Sequence, residues 1–157
     1  MKILVFSDSH GSRNRMVEVT AREDPDMIFH LGDGWRDAES LHRRFPKIPM
    51  YQVPGNCDYR TQADPECLVT VQGFRILLCH GHTYGVKDSL ILPSQAAEEM
   101  GLDAFLFGHT HRPLVSRRGE TLFLNPGSIG DYQAFYGILT VGDGTLDGRT
   151  AVYFPKG

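Results

Sequence analysis

Lys2-Ile3-Leu4-Val5-Phe6 runs without a break into Ser7-Asp8-Ser9-His10-Gly11. The four apolar residues, β-branched at Ile3 and Val5, read as a short buried strand. The loop that follows carries a carboxylate and an imidazole two positions apart, with a glycine behind them. The same order returns four more times. Asp26–Leu31 reads as a strand leading to Gly32-Asp33-Gly34, and Met50–Val53 as one leading to Gly55-Asn56-Cys57-Asp58. Phe74–Cys79 leads to His80-Gly81-His82, and Ala104–Phe107 to Gly108-His109-Thr110-His111. In open α/β sheets, ligand sites form outside the carboxyl ends of strands, so these five loops can meet in one crevice. The neighbouring glycines let the backbone turn sharply there.

Helical stretches separate the early strands. Ser12–Glu23 reads as a helix with Ser12 as its N-cap, and Arg36–Arg44 as a second. Strands alternating with helices of this length imply right-handed crossovers and a parallel sheet. The rest is richer in β structure. Leu68–Val71 and Phe74–Cys79 flank Gln72-Gly73 as a hairpin. Leu114–Arg117 and Thr121–Leu124 bracket Arg118-Gly119, and Tyr136–Val141 and Arg149–Phe154 bracket a Gly/Asp-rich turn. Pro93–Met100 reads as a helix with Leu92, Ala96, Ala97 and Met100 on one side and Gly101 as its stop. The expected architecture is α/β, with two packed, mixed sheets and helices outside, in a single domain over residues 1–157.

Composition narrows the function classes. At 157 residues, with 41% apolar and 22% charged residues, the chain can bury a core without disulfides or a structural metal. A net charge of −3 gives no excess of base for a polyanion, and Arg43, Arg44 and Lys47 read as a solvated helix end. Uninterrupted apolar runs reach four residues, far below the roughly 20 needed to span a bilayer. The direct start into a strand leaves no room for a signal sequence, so cytoplasmic residence is the expectation. Three cysteines, Cys57, Cys67 and Cys79, with no C-x-x-C pair argue against a disulfide framework or a thiolate zinc site. Cys79, at the end of an apolar run, reads as a buried small hydrophobe.

Five of the seven histidines fall in the ligand-type loops. For any one of them, a hydrogen-bonded polar residue is the commoner explanation; the ordered set at five strand ends is the signal. Imidazole and carboxylate without thiolate suit Mn, Fe, Zn or Ni better than Ca or a closed zinc site. Two cations about 3.5–4 Å apart would clamp a phosphoryl group and acidify water. One carboxylate must then lie between them, and a neutral amide such as Asn56 can complete a shell without adding negative charge beside an anionic substrate.

The series Asp8-x-His10, Gly32-Asp33, Gly55-Asn56, His80 and Gly108-His109-x-His111 resembles the calcineurin-like metallophosphoesterase family. The likeness runs from residue 3 to about residue 128. Gly55-Asn56-Cys57-Asp58 and Leu124-Asn125-Pro126-Gly127-Ser128 are similar to its small prokaryotic phosphodiesterase branch. The resemblance implies a four-layer α/β sandwich. It implies one divalent transition-metal ion, with manganese first choice and Fe, Zn or Ni as alternatives, on Asp8, His10, Asp33 and His111. A second would sit on Asp33, Asn56, His80 and His109, with Asp33 bridging. It implies in-line attack on a phosphodiester by a hydroxide between the two metals. Many larger members carry a histidine directly after the motif asparagine; here that residue is Cys57, a poor acid or donor by comparison, and it reads as a packing or supporting residue. His82 could supply the lost acid or could orient a ligand. His30 reads as buried and hydrogen-bonded, His42 as surface, and Asn125 and Ser128 either as site lining or as turn formers. The alternatives are a phosphomonoesterase acting on a small phosphorylated metabolite, or a protein-binding scaffold of the same fold, as in a eukaryotic retromer subunit. The expected partner is a small phosphoester, with no membrane and no long nucleic acid. Self-association is compatible with the sequence without being specified by it.

Overall fold

The computed structural model describes residues 1–59 and 61–156. Its elements, in chain order, are β1 (Lys2–Phe6), α1 (Arg13–Glu23), β2 (Met27–His30), α2 (Trp35–Arg44), β3 (Met50–Gln52), β4 (Glu66–Val71) and β5 (Phe74–Cys79). A 3₁₀ turn (His82–Tyr84) precedes α3 (Ile91–Met100), β6 (Ala104–Leu106), β7 (Leu114–Arg118), β8 (Thr121–Asn125), β9 (Phe135–Gly142) and β10 (Thr145–Val152). Two five-stranded sheets result, ordered β10-β9-β1-β2-β3 and β4-β5-β6-β8-β7. The centre of each is parallel, β1 beside β2 and β2 beside β3 in the first, β5 beside β6 and β6 beside β8 in the second. The hairpin strands β9–β10, β4 and β7 pair antiparallel at the edges. Both sheets are therefore mixed.

Strand alternation sets the layers, because successive side chains point to opposite faces. Ile3 and Val5 of β1 face inward and pack with Ile76 and Leu78 of β5, Leu106 of β6 and Leu124 of β8. Leu4 and Phe6, on the other face, meet Met16 and Val19 of α1 and Leu41 of α2. On the far side of the second sheet, Leu77, Phe105 and Phe123 pack with Ala97 of α3. Three apolar layers thus separate four structural ones, the four-layer α/β sandwich implied by the resemblance. No helix among the described residues is long and apolar enough to cross a membrane.

Several boundary expectations are corrected. Ser12 occupies the cap position of α1 but makes no side-chain cap bond; its backbone N–H donates instead to Ser9 O at 2.8 Å, closing the ligand loop on itself. α3 begins at Ile91, two residues before Pro93, since a proline in the first turn sacrifices no helical hydrogen bond. Leu92 is 53% exposed, so the buried stripe is Pro93 and Ala97, with Ala96 and Met100 packed alongside. β10 starts at Thr145, extending the last hairpin to a tight turn, and Phe154 lies beyond it, 67% exposed.

Candidate metal centre

Strands β1, β2, β3, β5 and β6 all deliver their following loops to one rim of the sandwich, and the loops are laced to one another through backbone bonds. Asp8 N–H donates to Gly32 O at 2.9 Å, His10 N–H to Asp33 O at 3.2 Å, and Gly108 N–H to His80 O at 2.9 Å. Among the described residues, eight non-glycine residues have positive φ, and five of them are Asp8, His10, Asp33, His109 and His111. Such a conformation costs on the order of 1–3 kcal/mol each and persists where surrounding structure imposes it, typically at functional sites. At residue 108, a side chain would overlap Ser7 Oγ and stand 2.7 Å from Asp8 Oδ2; only glycine lets the His109 loop approach this closely.

Asp8 is fully buried. Its Oδ2 accepts from Ser7 Oγ at 2.5 Å and from His109 N–H at 3.1 Å. Its Oδ1 has no hydrogen-bond partner among the described residues. Around that orphaned oxygen stand three imidazole nitrogens: His111 Nε2 at 3.3 Å, His80 Nε2 at 3.8 Å and His10 Nε2 at 3.9 Å. Asp33 divides its oxygens in the same way. Oδ1 accepts from Cys57 N–H at 2.8 Å, while Oδ2 faces His80 Nε2 at 3.4 Å and His10 Nε2 at 3.7 Å. Two sets of ligand atoms, Asp8/His10/His111 and Asp8/Asp33/His80, lie mutually within 4.8 Å. Asp33 touches a histidine of each set. A buried carboxylate oxygen left bare is costly unless something positive meets it, and an inward-facing set of carboxylate oxygens and imidazole nitrogens fits divalent transition metals.

The imidazoles are aimed from behind. His80 Nδ1 contacts Leu31 O at 2.8 Å, and His111 Nδ1 contacts both oxygens of Asp131, at 3.0 and 3.1 Å. In each ring this places the proton on Nδ1 and leaves the Nε2 lone pair toward Asp8, the arrangement by which metal-ligating histidines are oriented. His109 Nδ1 lies 3.2 Å from His80 Nε2. Burial draws the His80 imidazole down, but the Asp33 carboxylate and then the Asp8 charge outweigh it and hold it above its ordinary value. Burial pushes the Asp33 carboxyl up, and the adjoining His80 imidazole and the Cys57 N–H bond more than reverse this, leaving it well below the usual carboxylate range.

Asp8, His10, Asp33, His80 and His111 thus converge directly, and His109 joins through His80. Asn56 is exposed, and its amide donates toward Cys57 Sγ at 3.7 Å. His82 is exposed on the 3₁₀ turn, its ring 5.5 Å from that of His80 and 6.1 Å from that of His109. Cys57 serves Asp33 through its backbone N–H; burial and then the Asp33 charge push its thiol above its ordinary value. Asn125 and Ser128 are buried fasteners. Asn125 Nδ2 donates to Gly108 O and Thr110 Oγ1, and Ser128 Oγ donates to Asp8 O and Asp131 Oδ1. His30 is buried, with Nδ1 accepting from Gly32 N–H at 3.2 Å and Nε2 against Ser9 Oγ at 3.0 Å. Burial lowers it to about 4. His42 is exposed.

Three carboxylates outside the expected ligand set hold the loops. Asp37 accepts from Ser9 Oγ, Gly11 N–H and Arg13 Nε, at 2.8, 2.7 and 2.9 Å. Asp58 accepts from four backbone N–H groups, those of Asp33, Gly34, Trp35 and Gly55, at 2.7 to 3.0 Å. Asp131 backs His111. The only sequence trace of these roles is the position of Asp58 three residues after Gly55.

The chain matches a family model described as the calcineurin-like phosphoesterase superfamily domain over residues 1–144. It is 36% identical over 132 residues to the probable metallophosphoesterase YsnB of Bacillus subtilis, covering 82% of this chain and 75% of that one. It is 31% identical over 169 aligned positions to the phosphodiesterase YfcE of Escherichia coli K12, covering 88% and 87%. The crystal structure of a predicted phosphoesterase from Streptococcus pneumoniae TIGR4 superposes with a TM-score of 0.82 at 27% identity, over 97% of this chain and 89% of that one.

Proposed function

This chain belongs to the calcineurin-like phosphoesterase superfamily, and from that premise we propose that it hydrolyses small phosphodiesters with the help of two divalent transition-metal ions. The observation that carries the reading is the bare, buried Oδ1 of Asp8, ringed by Nε2 of His10, His80 and His111. Asp8, His10, Asp33 and His111 would hold one ion, and Asp33, Asn56, His80 and His109 the other. Held there, the ions would supply Lewis acidity, drawing charge off the phosphoryl oxygens and acidifying water.

The chain's own residues do the rest. Leu31 O and Asp131 lock the His80 and His111 rings, so neither must reorganise when substrate arrives. Cys57 N–H and the Asp58 carboxylate fix Asp33 from two sides. The exposed His82 side chain makes no hydrogen bond among the described residues and would be free to turn toward a leaving-group oxygen. Two observations favour the diester: the similarity to the phosphodiesterase YfcE, and a thiol at residue 57. A diester with a weakly basic leaving group needs no strong acid in that position.

The test is metal content after loading with manganese, followed by hydrolysis of bis(p-nitrophenyl) phosphate against p-nitrophenyl phosphate. Two ions per chain and a higher kcat/KM for the diester are expected. A monoester preference would shift the reading to a phosphomonoesterase, and metal binding without turnover of either would favour a protein-binding scaffold. A second expectation follows from the His111–Asp131 pair. Asp131→Asn keeps the side-chain shape but weakens the ring's anchor, and should lower metal affinity about 10–100-fold while leaving the fold intact. Isothermal titration of the metal-depleted chain would read it, and an unchanged affinity would remove Asp131 from the site.

A further inference from the structure

Beside the histidine loops lies a cavity of about 560 Å³, within the size range of small-molecule sites. Its walls are apolar: Val86, Leu90, Phe107 and Leu114. Two cations, Lys87 and Arg112, stand on its rim, both exposed, and neither makes an ion pair among the described residues. The cavity shares its wall with the metal centre. Thr110, between His109 and His111, lines it. Val86 and Phe107 fill the space over Gly81, next to His80: a side chain there would meet Val86 Cγ2 at 2.8 Å and Phe107 Cβ at 3.3 Å.

A separate cleft opens on the other side of the centre, lined by His10 and Asp33 and running out past Trp35, Arg36 and Tyr59. The two recesses differ in character. The second cleft is mostly polar, with carboxylates as well as cations. The 560 Å³ cavity combines apolar walls with unpaired positive charge and no acidic residue in its lining. A monoester has one organic arm to place, whereas a diester has two.

We propose that the cavity between residues 86–90, just ahead of α3, and the 107–114 segment is a specificity subsite for one arm of the diester, an apolar ring or chain that carries a second negative charge. This rests on the phosphodiesterase reading for the word substrate, but not for the pocket's ligand chemistry. The apolar body would displace water from Phe107 and Leu114, and the anion would meet Lys87 and Arg112 at the rim. Both charges are exposed, so their contribution is modest and screened by salt.

Two measurements separate the inference from its premise. In the first, 2-naphthoate and neutral 2-naphthol are titrated into the zinc-loaded protein and followed by amide chemical shifts. Naphthoate should bind more tightly, shifting residues 86–90 and 110–114, and the Lys87→Ala/Arg112→Ala variant should lose about fivefold in its affinity. Leu114→Asp should abolish binding of both. Naphthoate binding no tighter than naphthol, or shifts confined to the metal ligands, would overturn the pocket assignment whatever the enzyme hydrolyses. In the second, three diesters share p-nitrophenol as leaving group and carry methyl, phenyl or 4-carboxyphenyl as the other arm. The kcat/KM ratio of carboxyphenyl to phenyl ester should exceed one and fall about fivefold in the double variant, a ratio in which general losses of activity cancel. A ratio unmoved by the variant sinks the subsite. Failure to hydrolyse any of the three with naphthoate still bound sinks the diesterase reading instead, and with it the substrate-arm assignment, leaving an anion-binding pocket.

Discussion

Asp33→Asn should lower kcat/KM for bis(p-nitrophenyl) phosphate by about a thousandfold at saturating metal, roughly 4 kcal/mol of transition-state stabilisation. The substitution isolates charge from shape. Asparagine can keep an oxygen where Oδ1 accepts the Cys57 N–H, so the loop retains its backbone bond. What changes is the inward position, where Oδ2 now faces His10 and His80. Placing a neutral amide there removes the negative charge between two imidazole sets, and between the two ions the proposed ligand assignment puts on either side. Asn56→Ala and His82→Ala, which alter exposed side chains outside the carboxylate cluster, should each cost far less. Thermal melting and metal content measured on the same samples separate lost chemistry from lost structure. Near-wild-type turnover in Asp33→Asn, with metals bound, would show that the bridging role belongs elsewhere, with Asp8 the next candidate because both ligand sets contain it.

The contrast between what the sequence displayed and what it concealed follows contact distance along the chain. Asp8, His10, Asp33, His80, His109 and His111 were legible because each stands within a few residues of a short apolar run, and strand ends gather in a parallel sheet. Two packed, mixed sheets with helices outside were legible from the order of strands and helices, whereas the four-layer arrangement was implied by the family resemblance. Asp37 and Asp131 carry no local mark, and Asp58, though inside the Gly55-Asn56-Cys57-Asp58 loop, has nothing beside it to mark it as the acceptor of four backbone N–H groups. Asp37 sits in a helix among charged neighbours, and its partners Ser9 and Gly11 lie 28 and 26 positions away. Asp131 lies 20 positions from the ring it holds. Such residues reveal themselves only when the loops are in place. The errors at Ser12 and Leu92 have the opposite origin. Local rules assigned a cap and an apolar face, but Ser12 makes no side-chain cap bond and Leu92 is left largely exposed.

Asp58→Ala should be the most destabilising change at the site that leaves every proposed metal ligand unaltered. One carboxylate there serves four donors. Oδ1 takes Gly34 N–H and Trp35 N–H at the start of α2, and Oδ2 takes Asp33 N–H and Gly55 N–H. Helix α2 has no side-chain cap of its own, so Asp58 supplies from β3's loop the acceptor that its first N–H groups lack, and a negative charge at the helix's positive end. Hydrogen bonds to a charged group contribute about 1.5–3 kcal/mol each, but the site is only partly buried and water can replace some of them. A net loss of about 3–4 kcal/mol is expected, which for a chain of this size lowers Tm by about 10 °C. Activity should fall further than stability alone explains at temperatures where the variant is still folded, because the same carboxylate anchors the backbone of Asp33. Asp58→Asn supplies the control. Its single carbonyl oxygen can keep two of the four bonds without the charge, so its melting point and activity should lie between those of the alanine variant and the wild type. If Asp58→Asn and Asp58→Ala melt together near the wild-type temperature, the bonds are solvent-replaceable and α2 is held by the packing of Ala38 and Leu41 alone.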